Sequence, residues 1–183
     1  MYKLIAIDID GTLIDSKGEI SEENKLAIKT AREKGTEVVL TSGRIPQSIE
    51  PIAQEIGADN YLIAGNGAIV FDINENKVIY GEYLSKKKVI EIIKACKENN
   101  IFYNIYLKDR ILTETIDYNI LFYDSENKNM PPERRINIEI KNDLLKFIEE
   151  YKDDDFLKIT ICAGCFWYFY KNIQYLEIYF LTI

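Results

Sequence analysis

Residues 1–82 predict a doubly wound α/β sheet, and residues 83–170 predict a smaller α+β unit inserted behind it. Three observations lead there. Short uninterrupted apolar runs recur at residues 4–7, 38–40 and 61–64, as expected of strands buried on both faces of a parallel sheet. Stretches with helical spacing separate these runs, which gives the strand–helix alternation of α/β folds. That alternation stops after about Tyr83, and residues 171–183 form an atypical tail.

Each element has a local cause. Ser21 is a good helix N-cap with Glu22, Glu23 and Asn24 in the first turn, where negative charge suits the helix dipole. Leu26, Ile28 and Ala31 supply the apolar stripe up to Lys34, and Gly35 ends the helix. Pro46 can open a second helix, with Ile49, Ile52, Ala53 and Ile56 on one side and Gly57 at its end. Residues 68–71 and 78–80 form a hairpin around Asn74, Glu75 and Asn76. Ser85 caps a helix to Asn99. Residues 101–107 and 111–115 are strands around Lys108 and Asp109, Pro131-Pro132 marks a loop, Asn142 caps a helix to Tyr151, and residues 156–162 are a last strand.

Composition narrows the function. The 183 residues are 47% hydrophobic, enough for an ordinary soluble core, and the net charge is -7. No basic stripe is left over for nucleic acid or an anionic membrane. No stretch reaches the roughly 18 uninterrupted apolar residues of a membrane span. Residues 1–6 are too short for a signal peptide, and three cysteines suit a reducing cytoplasm. Cys162-Ala-Gly-Cys165 has CxxC spacing, yet the chain has no histidine and no second such pair, so these thiols read as packing groups. Asp153-Asp154-Asp155 reads as a solvated turn.

Ligands of doubly wound sheets bind at the carboxyl ends of the strands. The polar residues there are 8–12, 41–44 and 65–67. Asp8 and Asp10, two positions apart, would repel each other unless a cation held by oxygen ligands, usually Mg2+, offsets them. A carboxylate can attack phosphorus to form an acyl-phosphate, while a second carboxyl protonates the leaving alkoxide and later activates water. Gly11 allows a sharp turn that brings backbone N–H groups to a phosphate.

Asp8-Ile9-Asp10-Gly11-Thr12-Leu13 resembles the first motif of the haloacid dehalogenase-like superfamily. Thr41-Ser42-Gly43-Arg44 is similar to its second motif in the Cof-type sugar-phosphatase branch, and Gly65-Asn66-Gly67-Ala68 to the segment before that branch's cap. The resemblance implies a Rossmann-like core with an inserted α+β cap and a Mg2+-dependent phosphatase working through an aspartyl-phosphate. It implies Asp8 as nucleophile and Mg2+ ligand, and Asp10 as general acid/base and second metal ligand. Ser42, Gly43, Asp10 and Gly11 would bind phosphate, with Thr12, Arg44 and Asn66 in the substrate cleft, a structural role for Arg44 or Asn66 being the equal alternative.

Two further motifs of the family, a lysine and an acidic Gly-Asp pair, are not found after the cap. Lys158 stands in an expected cap strand, so the lysine role is not carried onto it. Residues 163–183 do not resemble the usual continuation, and their aromatic-rich composition fits a frameshift or premature stop. The expectation is therefore a cytoplasmic phosphatase of small phosphorylated metabolites with impaired activity. The apolar edge of residues 4–7 would be covered by the tail, around residues 175–181, or by a second copy in a homodimer. The alternatives are a non-catalytic phosphate- or partner-binding remnant and a phosphomannomutase-like phosphotransferase. A receiver-domain reading fits less well, since DxDGT is not that family's acidic pair.

Overall fold

The protein is described by a computed structural model over residues 2–15, 18–132 and 135–162. Its first sheet has five strands in the order β1 (Leu4–Asp8), β2 (Glu37–Thr41), β3 (Tyr61–Ala64), β4 (Ile69–Asp72) and β5 (Lys77–Gly81). β1, β2 and β3 run parallel, and β4 and β5 return as an antiparallel hairpin. The crossovers are α1 (Glu22–Glu33) and α2 (Pro46–Glu55). Both advance along the sheet in the same direction, which puts crossover helices of one hand on one face. Accordingly the two helices lie side by side, joined by the Lys25–Glu55 ion pair at 2.8 Å.

The second sheet follows α3 (Lys86–Glu98). It has the order β8 (Asn137–Ile140), β7 (Arg110–Thr113), β6 (Phe102–Tyr106) and β9 (Lys158–Cys162), with α4 (Asn119–Asn129) and α5 (Leu144–Glu150) between strands. Alternation along β6 separates its two faces. Tyr103 and Ile105 pack with Val89 and Ile93 of α3 and Leu144 and Ile148 of α5. Phe102 and Tyr106 face the other way and join an apolar cluster with Leu40, Leu62 and Ile69 of the first sheet and Ile120 and Tyr123 of α4. The two sheets therefore share a seam, lined on one side by the carboxyl ends of β1 to β3. The α/β class and the α+β character of the second unit are as expected.

Local chemistry explains most element boundaries. The Ser21 hydroxyl accepts from the Asn24 amide at 3.2 Å, and Pro46 stands at the start of α2. The Ser85 hydroxyl accepts from Lys88 N at 3.4 Å at the start of α3. The acidic turn also has a structural use: Asp154 accepts from Lys86 N and Asp155 from the Tyr151 hydroxyl.

Several expectations are corrected. β1 is not buried on both faces as its apolar run suggests; it is instead the exposed apolar edge also expected for residues 4–7, with Leu4 56% exposed and β2 its one partner among the described residues. Leu26 is 65% exposed, and Ile28 alone of the α1 stripe is buried, since nothing described packs over that side. The last helix is capped by Asp143, whose carboxylate accepts from Lys146 N at 3.2 Å, and not by Asn142. Phe156 makes an isolated bridge to Leu84 and precedes β9. Helix α4 and strand β8 were not expected. Cys165 and residues 171–183 lie outside the described residues, and Cys162 is a half-buried thiol donating to Asn119 Oδ1.

Candidate active site

Ile9 and Leu13 are driven into the core, and that burial shapes the loop after β1. With Ile9 pointing inward, its neighbours Asp8 and Asp10 are left on the outside, both exposed. The turn is closed by Leu13 N donating to Asp8 O and Ile9 O. Gly11 sits at φ +75°, the left-handed region where a side chain would be strained. Thr12 Oγ1 donates to Asp8 Oδ2 at 3.2 Å, which orients the carboxylate.

Parallel pairing sets Asp8 opposite Thr41, so the loop after β2 lies beside it. Ser42 is buried. Its hydroxyl oxygen accepts from Arg44 N at 3.2 Å, which leaves the hydroxyl proton available to an acceptor in the loop. Two backbone bonds tie this loop to the next one, Asn66 N to Ser42 O at 3.1 Å and Gly65 N to Arg44 O at 2.9 Å. Asn66 itself is exposed at φ +61°. The three strand-end segments singled out in the sequence thus meet in one place.

Arg44 is placed differently from a residue at an open cleft mouth. It is buried, and its fork grips both carboxylate oxygens of Asp10: Nε to Oδ2 at 3.0 Å and Nη2 to Oδ1 at 2.6 Å. Nη1 donates to Ser48 Oγ at 3.2 Å and lies 3.9 Å from Glu126 Oε1 on α4. The guanidinium also lies 5.6 Å from the Phe122 ring centroid. Burial works against the Arg44 charge, and the bonds to Asp10 outweigh it, so its pKa is raised. Burial pushes the Glu126 carboxyl up, Arg44 pulls it down and Asp10 pushes it up again, for a net rise.

A second cation reaches the seam from β9. Lys158 Nζ donates to Gly43 O at 2.5 Å and stands 4.3 Å over the Tyr106 ring. Burial alone lowers its pKa from 10.5 to about 8. Sequence reasoning missed both Glu126 and Lys158 as groups of this site. Neither carries a local motif, and each is brought here by the packing of the second unit.

Asp8 and Asp10 are the two carboxylates of these loops, and Arg44 occupies both oxygens of one. No group of three or more Asp, Glu, Cys or His side chains converges on a metal position among the described residues. Mg2+ requires about six oxygen ligands in near-octahedral geometry. The described residues do not by themselves make that shell.

The chain matches the family model of haloacid dehalogenase-like hydrolases over residues 5–176. The match continues into residues 163–176, further than the resemblance read from the sequence, so most of that stretch is not foreign to the family. Phosphatase YwpJ of Bacillus subtilis is 35% identical over 111 residues, covering 61% of this chain and 39% of that protein. Pyridoxal phosphate phosphatase YbhA of Escherichia coli is 26% identical over 133 residues, covering 73% and 49%. The solved structure of a haloacid dehalogenase-like hydrolase from B. subtilis superposes with a TM-score of 0.67 at 27% identity, covering 84% of this chain and 59% of that one. The chain thus spans half or less of the length of these two curated relatives. No helix among the described residues is long and apolar enough to cross a membrane. By this match over most of its length the chain belongs to the haloacid dehalogenase-like hydrolase family, with the Cof-type reading of its motifs in agreement.

Proposed function

We propose that the protein is a cytoplasmic phosphatase of small phosphorylated metabolites, with Asp8 as nucleophile. In this reading residues 1–82 are the catalytic core, residues 83–170 a cap over it and residues 171–183 a tail. The observation that carries it is the Asp8 carboxylate: exposed, oriented by Thr12 and one strand away from the Ser42 hydroxyl. Asp8 attacks phosphorus, the ester P–O bond breaks, and an acyl-phosphate remains on Asp8 while the alcohol departs. Asp10 protonates the departing oxygen and then takes a proton from the water that hydrolyses the acyl-phosphate. Ser42 and the Gly43 amide donate to the phosphoryl oxygens as charge develops, Gly11 keeps the loop close, and Asn66 borders the cleft.

Mg2+ enters this proposal through the family. The described residues offer it the Asp8 side chain and Asp10, so no step above runs through it. The test is hydrolysis of an aryl phosphate in Mg2+ by the full chain. Turnover is expected and should fall by about three orders of magnitude or more in Asp8→Asn. Turnover unchanged by that substitution removes Asp8 from the mechanism.

The Arg44 clamp on Asp10 favours a second reading, a phosphate-binding protein without turnover. Arg44 takes one lone pair on each Asp10 oxygen and fixes the direction of the carboxylate, so fewer acceptor positions remain turned toward a leaving group while the clamp holds. Phosphate binding with no hydrolysis of any ester offered would select that reading. The exposed edge of β1 leads us to propose a homodimer covering it. Light scattering should then show a dimer, and a monomer with freely exchanging Ile5 to Ile7 amides contradicts it.

A further inference from the structure

We propose that Lys158 is an anion-binding residue of the same site, presenting its ammonium from β9 to the dianionic phosphoryl group of a phosphomonoester held at the loop of residues 42–44. This rests on the phosphatase reading and adds to it a contact from the second unit. An ammonium has three donors and one charge to satisfy. Lys158 spends one donor on Gly43 O, and the Tyr106 ring face flanks it. No carboxylate lies within 4 Å of it among the described residues. The protein carries 30 Asp and Glu against 23 Lys and Arg, so anionic partners are plentiful elsewhere.

Arg44 follows Gly43 directly in the same loop and is by contrast met by Asp10 and Glu126. Lys158 is half-buried, and a cation partly withdrawn from water with no counter-ion carries a desolvation cost. At the loop that presents Ser42, the counter-ion that would offset that cost is a phosphoryl dianion. Burial holds the ammonium near its titration range, and an arriving anion would return it toward full protonation.

The experiment is calorimetric titration of the full chain with inorganic phosphate, on wild type, Lys158→Met, Lys158→Arg and Ser42→Ala, with Tm measured on each phosphate-free protein. Wild type is expected to bind. Lys158→Met should weaken phosphate by roughly tenfold or more, the loss of one charge-assisted hydrogen bond. Its Tm should be equal or higher, because a half-buried, uncompensated charge has gone. Lys158→Arg should recover most of the affinity and remains informative if the Met variant does not fold. Wild-type affinity in Lys158→Met, or a lower Tm with affinity unchanged, overturns the proposal and makes Lys158 a latch between the two units. If Ser42→Ala weakens phosphate while Lys158→Met does not, the phosphate site stands and this inference alone fails. No phosphate binding by wild type defeats both.

Discussion

Two cations meet at one seam under opposite conditions. Arg44, from the loop after β2, is gripped by Asp10 on one side and approached by Glu126 on the other. Lys158, from β9, has a backbone carbonyl and an aromatic face and no carboxylate within 4 Å among the described residues. Arg44 is a closed arrangement, in which charges cancel within the protein. Lys158 is an open one, in which cancellation is left to something that binds. Partners, more than burial, therefore distinguish a cation that holds a fold together from one available to a ligand.

The sharpest way to break the contrast is to remove Arg44. Arg44→Ala removes a buried side chain, leaves Glu126 half-buried and takes the bidentate donor from the exposed Asp10, and should cost about 2 kcal/mol in urea unfolding. A loss under about 0.5 kcal/mol, the scale of ordinary surface changes, would show that the clamp contributes little.

Removing Lys158 should act in the opposite direction. Its folded pKa, about 8, lies below its usual 10.5, so the unfolded chain binds more protons between those values. Wild-type stability therefore rises with pH across that window. Lys158→Met is expected to be more stable than wild type by about 1–2 kcal/mol near pH 7, with the gain fading as pH climbs from about 8 to about 10.5. Unfolding curves collected across that range check both the sign and the window.

The smallest effect belongs to Glu126. Its carboxyl is raised above the usual 4.5, mainly by burial, so the folded state holds the proton more tightly than the unfolded chain. That contribution is full below about pH 4.5 and is lost as pH rises through the folded value. Glu126→Gln should thus raise stability near pH 7 by under about 1 kcal/mol and lose the gain near pH 4. Tm at the two pH values measures it, and a large loss at pH 7 would mean that the ion pair to Arg44 outweighs desolvation.

What was legible in the sequence follows the same division. Asp8, Gly11, Ser42 and Arg44 belong to short contiguous motifs, and Ser21, Pro46 and Ser85 mark helix starts by chemistry within three residues of themselves. Helix α4 was not legible because its apolar residues, Ile120 to Tyr123, are consecutive and show no helical period. Strand β8 did carry a signal, the alternation Asn137-Ile138-Glu139-Ile140, in a segment too short to insist on. Asn142 and Asp143 are both good caps, and sequence alone does not choose between them. The apolar run of β1 specifies a strand as well as β2 does. Whether such a run is buried depends on what packs against it, which is why Leu40 is fully buried and Leu4 is not. Glu126 and Lys158 reach the site only through tertiary packing, far along the chain from the Arg44 and Gly43 they respectively meet.

The most direct test of the central claim is to find the phosphoryl group on the chain. After rapid acid quench during exposure to a phosphomonoester and Mg2+, peptide mass spectrometry should locate an acyl-phosphate on Asp8, absent in Asp8→Asn. An adduct on another residue, or hydrolysis that continues unchanged in Asp8→Asn, would contradict the account.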